Sequence, residues 1–205
     1  MKEAVIVSTA RTGLAKSIRG GFNITHGAVM GGHAIKHAVS RAGLDPAEIE
    51  DVFMGCANPE GATGFNIARL SAIEAGCPVT TAGTTINRFC SSGLQAIAMA
   101  AQQVMTEGTP IAIGSGVESI SLVQMGGMNM NNITEAHLME IKPALWMSMI
   151  ETAEVVAARY NISRERQDAY ALESQRRTAA GQEAGRFDAE IVPMESSMGV
   201  FQLAA

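Results

Sequence analysis

Three cysteines, Cys56, Cys77 and Cys90, and four histidines, His26, His33, His37 and His137, are the residues of this 205-residue chain best suited to nucleophilic or metal chemistry. Cys90 has the most informative setting. It lies in Asn87-Arg88-Phe89-Cys90-Ser91-Ser92-Gly93-Leu94, between a β-rich run and a run of helical spacing. A helix that starts there turns its unpaired N–H groups and positive dipole end toward the sulfur. That field favours thiolate over thiol and makes the position suitable for a nucleophile. Gly93 leaves room for a substrate to approach the backbone. The competing reading is that Cys90 is a small buried hydrophobe, as cysteines often are. Cys56 and Cys77 lack such a setting and read as core or near-core residues.

The other candidates are weaker. His33 and His37 stand four apart on one helix, the spacing of a metal pair, but no H-E-x-x-H motif and no third ligand accompany them. They read as a solvated or partly packed face, and no metal is expected. His137 falls in an irregular stretch whose spacing does not make it a partner for Cys90. Gly114-Ser115-Gly116 follows a predicted strand as a nucleotide loop would, yet position 119 is Ser rather than a third glycine. The run from Arg164 to Arg177 mixes both signs and reads as a solvated helix face, with Arg176 and Arg177 the pair that could meet a phosphate.

The elements that must hold these residues can be traced by period and punctuation. Ala4–Ser8, Val52–Cys56, Thr84–Phe89 and Pro110–Gly114 read as buried strands. Between them lie three helices. One runs through Ala34, Ile35, Ala38, Val39 and Ala42 and stops at Gly43. The second carries Ile67, Leu70 and Glu74 and is closed by Gly76 and Pro78. The third presents Leu94, Ile97, Ala98, Ala101, Val104 and Met105 on one face and ends at Gly108. The order β-α-β-α-β-α-β with short connections predicts an α/β domain, a mostly parallel sheet with helices on both faces. From residue 120 the character changes. A methionine-rich loop (Met125–Asn132) precedes an amphipathic helix through Met149, Ile150, Ala153, Val156, Ala157 and Tyr160. Ser163 then caps a long charged helix that stops at Gly185, and Ala189–Pro193 reads as a last strand.

Composition narrows the function classes. Hydrophobic residues at 47% exclude a disordered chain. A net charge of −5 and 4% aromatics argue against phosphate-backbone binding and base stacking. The odd number of widely spaced cysteines disfavours a disulfide scaffold and points to a reducing compartment. No apolar run approaches the ~18 residues of a membrane span, so a cytoplasmic placement and no membrane partner are expected.

The motifs together resemble the thiolases, acetyl-CoA acyltransferases built from two α/β halves. Residues 3–12 (EAVIVSTART) are similar to the first strand of that family. Cys56-Ala57-Asn58-Pro59-Glu60-Gly61 resembles its second-strand exit, and residues 87–96 (NRFCSSGLQA) resemble its N-terminal active-site signature. Residues 116–121 (GVESIS) resemble its G-x-E-S-M-S loop, and residues 163–193 a helix and strand of its loop domain. The match runs from residue 2 to about 194. It implies a sheet domain over 1–119, lacking its last strand, and a partial, truncated loop domain over 120–205.

The resemblance implies Cys90 as the acylated catalytic residue of a reversible Claisen exchange between 3-ketoacyl-CoA plus CoA and acyl-CoA plus acetyl-CoA. It implies acyl-CoA and CoA as substrates, no permanently bound cofactor, and Met147, in Leu145-Trp146-Met147, as a contact for the pantetheine arm. Many relatives carry His where Trp146 stands. The wording is closer to the fatty-acid-oxidation type than to the biosynthetic type. The family's G-H-P histidine, N-E-A-F asparagine and C-x-G cysteine, however, do not occur in these 205 residues. The expectation is therefore a thiolase half that is inactive alone. It would form a homo-oligomer, or pair with a C-terminal half as a split or non-catalytic subunit. A ketoacyl synthase is the nearest structural alternative, disfavoured by the Asn-Arg-Phe-Cys and Glu-Ser-Ile-Ser wording.

Overall fold

The structure is a computed structural model and describes residues 3–200. Of these, the residues up to Met128 and those from Glu190 onward form one compact unit, and Asn129–Ala189 form a second.

The first unit is an α/β sheet domain. Its helix α1 (Gly27–Arg41) begins where the His26 imidazole accepts a hydrogen bond from the Ala28 N–H, and its C-terminal turn is closed by Gly43 at φ +69°. Strand β1 (Asp51–Gly55), helix α2 (Ile67–Glu74), strand β2 (Ala82–Ile86), helix α3 (Ser92–Gln102) and strand β3 (Ala112–Gly116) follow. Among the described residues the sheet is three-stranded, in the order β2-β1-β3, and both pairings are parallel.

β1 is central and buried on both faces, and its alternation explains the layering. Val52 and Met54 point into a core with Ile35, Val39, Ile67, Ala68 and Ala72, while Phe53 points the other way onto Ala96 and Ala100 of α3. Helices α1 and α2 thus cover one face and α3 the other. Close packing of α1 on α2 depends on small residues. A Cβ on Gly31 would stand 2.4 Å from Ser71 Oγ, and one on Gly32 2.6 Å from Glu74 Cγ.

Several elements depart from expectation. Ala4–Ser8 joins no ladder, and Val5, Ile6 and Val7 are each more than 70% exposed. Apolar β-branched residues favour an extended strand, but a strand needs a neighbour's N–H and C=O groups, and none of the described residues supplies them to this segment. Ala189–Pro193 reduces to one parallel bridge, Ile191 with Arg11, reinforced by an Arg11–Glu190 ion pair of 2.8 Å. β2 starts earlier than predicted and stops at Ile86, because Phe89 belongs to a tight turn (Phe89–Ser91). β3 runs to Gly116, so Gly114-Ser115-Gly116 is strand rather than a phosphate loop.

The largest correction concerns α3. The predicted apolar stripe is not its buried side: Leu94 is 72% exposed and Ile97 44%, whereas Ser92, Ala96 and Ala100 are buried against the sheet. Small residues win that face because β1 and β3 approach it closely. A Cβ on Gly114 would stand 2.7 Å from Ile97 Cα.

The second unit is helical, with α4 (Ala136–Ile141), α5 (Met149–Arg159) and α6 (Arg164–Glu183). Glu135 caps α4 by accepting from the His137 and Leu138 N–H groups, and these bonds hold its carboxyl below the ordinary glutamate value. Ser148 and Glu151 form a reciprocal capping box on α5. Ser163 caps α6, as predicted, and Gly185 follows it at φ +65°. The charged face of α6 is solvated, with Arg164–Asp168 and Glu173–Arg177 pairs at i,i+4.

Candidate active site

Because all three strands are parallel, their C-terminal ends lie along one edge, where open α/β sheets gather functional loops. Gly55, Ile86 and Gly116 are in register there. The ladder continues one residue further through Cys56 N–H to Ile86 C=O (2.9 Å) and Val117 N–H to Gly55 C=O (3.0 Å). Cys90 stands in the loop leaving β2, in the turn Phe89–Ser91 directly before α3. It is exposed and carries no disulfide, so the buried-hydrophobe reading does not hold for it. Cys56 and Cys77 are buried. Burial pushes both thiols above the ordinary cysteine value, and the Glu118 charge adds to the effect at Cys56.

The turn that carries Cys90 is held by short polar bonds. The Asn87 side-chain oxygen accepts from the Phe89 N–H (2.9 Å). Ser92 Oγ accepts from the Arg88 N–H (2.8 Å) and donates to the Phe89 C=O (2.5 Å). Phe89 itself sits at φ +45°, a left-handed conformation that costs a side-chain-bearing residue about 1–3 kcal/mol. The turn is closed by the Ser91 N–H on the Arg88 C=O and by the Ser92 N–H on the Phe89 C=O. The Cys90 N–H takes part in neither bond.

Beneath this turn α3 is seated on β1 itself. A Cβ on Gly55 would stand 2.4 Å from the Ser92 carbonyl carbon and 2.5 Å from the Gly93 nitrogen. Only a glycine at the end of β1 lets the helix start so close to the sheet edge. Glu118, in the loop leaving β3, ties the neighbouring loop down by accepting from the Ala57 N–H (2.8 Å) and the Asn58 N–H (3.3 Å). Sequence reading placed Gly55, Ser92 and Glu118 inside or beside motifs without assigning them these tasks. A glycine closing a buried strand was the available signal for the first. The other two depend on contacts that spacing does not reveal.

The remaining candidates fall elsewhere. Met147, in the second unit, is half-buried after the turn Pro143–Trp146, and Trp146 Nε1 donates to the Ile133 C=O (2.9 Å). His26 caps α1. The His33 and His37 rings are in contact, tilted 57° to one another with centroids 4.5 Å apart, and burial followed by the nearby charges of His33, Arg41 and Lys36 lowers the His37 pKa. His137 lies 4.0 Å from Glu140 on its own helix. Among the described residues, no group of three or more His, Cys, Asp or Glu side chains could hold a metal ion. No described helix is long and apolar enough to cross a membrane.

A family model described as "Thiolase, N-terminal domain" matches residues 4–200. The chain belongs to the thiolase family. It is 43% identical to a 3-ketoacyl-CoA thiolase of Bacillus subtilis (strain 168), over 95% of this chain and 49% of the relative. It is 39% identical to a 3-ketoacyl-CoA thiolase of Aliivibrio fischeri, over 95% of this chain and 50% of that one. It is 38% identical to an acetyl-CoA acetyltransferase of Chromobacterium violaceum, over 94% and 51%. The chain therefore spans about half the length of these curated thiolase relatives. The family accounts for the α/β sheet domain and for the order of the motifs along it.

Proposed function

We propose that this chain is the nucleophile-bearing half of a thiolase-type acyltransferase of the fatty-acid-oxidation type, with Cys90 as the residue that becomes acylated. The observation that carries the reading is an exposed thiol on a held, strained turn at the N-terminus of α3, in a chain of this family. The Cys90 thiolate attacks the C3 carbonyl of a 3-ketoacyl-CoA. The C2–C3 bond breaks, its electron pair stays on C2 as the thioester enolate, and a proton delivered to C2 by the proton-moving cysteine of the complementary half releases acetyl-CoA. A CoA thiolate then attacks the Cys90 thioester, and the Cys90 thiolate leaves as acyl-CoA departs. Thiolate suits both steps because it is a strong nucleophile and a good leaving group. The Cys90 N–H, unused by its turn, is a donor available to the developing oxyanion. Met147 is assigned to the pantetheine arm.

These residues do not include the family's activating histidine or its proton-moving cysteine. Removal of such a base costs about 10²–10⁴-fold, so the 205 residues alone should turn over little or not at all. A complementary thiolase half supplies those groups. The exposed apolar residues on α3 (Leu94, Ile97) and in the first segment (Val5, Ile6, Val7) support such pairing. Incubation with acetoacetyl-CoA and a complementary thiolase half, followed by peptide mass mapping, tests the nucleophile. One acetyl group should appear on the Cys90 peptide, and none in Cys90→Ser. An unmodified Cys90 with that half present would overturn the assignment. Co-purification of a chain carrying G-H-P and C-x-G motifs would support the pairing, and full turnover by the lone chain would refute it.

A further inference from the structure

We infer that Ser92 is a positioning residue for Cys90: its hydroxyl holds the turn in the left-handed conformation that presents the thiol. The inference rests on the reading of Cys90 as the nucleophile. Ser92 is 4% exposed, and its Oγ bridges two backbone groups on either side of one peptide, accepting from the Arg88 N–H and donating to the Phe89 C=O. Between those two groups lies the φ of Phe89, at +45°. Asn87 reinforces the same residue from the other side through the Phe89 N–H. A phenylalanine left to itself would relax toward negative φ, because its Cβ crowds the backbone in the left-handed region. That relaxation would swing the following residue, Cys90, away from the start of α3. The seat of α3 on Gly55 fixes the Ser92 backbone, so the hydroxyl works from an anchored point.

The experiment compares rates of Cys90 acylation by acetoacetyl-CoA, with a complementary thiolase half present, in the protein and in Ser92→Ala, Ser92→Thr, Phe89→Gly and the Ser92→Ala/Phe89→Gly double variant. Protection of Cys56 and Cys77 from iodoacetamide serves as the check that the fold is intact. Ser92→Ala should slow Cys90 at least about tenfold, since misplacement of a reacting group by 1 Å costs on the order of 10²-fold. Ser92→Thr retains the hydroxyl and should restore most of the rate. The double variant should recover to within about threefold of the parent, because glycine occupies positive φ without strain and no longer needs to be held. A wild-type rate in Ser92→Ala, or a slow rate that Phe89→Gly does not relieve, would overturn the inference. If Ser92→Ala loses protection of Cys56 and Cys77, Ser92→Thr and Phe89→Gly decide. Both should keep the parent rate, and a tenfold loss in either refutes the positioning role. The same assay separates this inference from the functional reading. No acylation of the parent protein with the complementary half present sinks that reading, whereas parent and Ser92→Ala acylating at equal rates sinks this one alone.

Discussion

Gly55→Ala is the substitution from which the seating of the candidate nucleophile can be measured. A methyl group there would stand 2.4–2.6 Å from the Ser92 carbonyl carbon, the Gly93 nitrogen and the Ser92 oxygen. Ordinary carbon contacts begin near 3.5 Å, so the deficit is roughly 1 Å, and it falls on backbone that cannot rotate away. The start of α3 must retreat or β1 must bend. Overpacking of this kind costs about 1–3 kcal/mol, and the upper part of that range is expected because no side chain can yield. At about 2–4 °C per kcal/mol for a chain of this size, the Tm should fall by about 5–10 °C. Differential scanning calorimetry reads the effect. Gly93→Ala is the matched control, since a Cβ there meets nothing within 4 Å. It should raise stability by about 0.5–1 kcal/mol through helix propensity, and slow acylation by the bulky acyl-CoA. An unchanged Tm in Gly55→Ala would refute the close seating of α3.

Other outcomes follow from the same structure. Glu118→Ala removes the acceptor of the Ala57 and Asn58 N–H groups and should cost about 1.5–3 kcal/mol in denaturant unfolding. Cys90 should be labelled first and Cys56 and Cys77 only on unfolding. Burial raises the folded-state pKa of both buried thiols, so the stability tied to them is full below the ordinary thiol value and is lost as pH climbs from there through the raised folded value, the onset of which melting between pH 7 and 10 can check. The capping bonds from Ser148 lower the Glu151 pKa. Helical protection of α5 in hydrogen exchange should therefore hold above the ordinary glutamate value and fade as pH drops through the folded one, and Glu151→Gln should remove that dependence. Met147→Ala, assayed with the complementary half present, should raise the KM for CoA by up to about tenfold with little change in kcat, as loss of uniform binding does.

Much of the sheet domain was legible because its signals are local. Gly43, Gly76, Gly108 and Gly185 mark helix ends, and each adopts positive φ. Ser163 caps α6 where its side chain predicts. Val52 to Cys56 reads as a buried run and becomes the central strand. The misreadings involve partners distant in sequence. Ala4–Ser8 has strand composition without a ladder, and the apolar stripe of α3 turns outward because glycines on β1 and β3 draw its small-residue side onto the sheet.

The sequence by itself determined the family, the order of elements and the cysteine worth testing, since each rests on residue type at fixed spacing. Only the tertiary structure decided which cysteine is exposed, which face of α3 is buried and what holds the Phe89–Ser91 turn. Those properties depend on close approach between segments far apart in the chain, such as Gly55 with Ser92 and Glu118 with Ala57. Spacing along a chain carries no record of such distances.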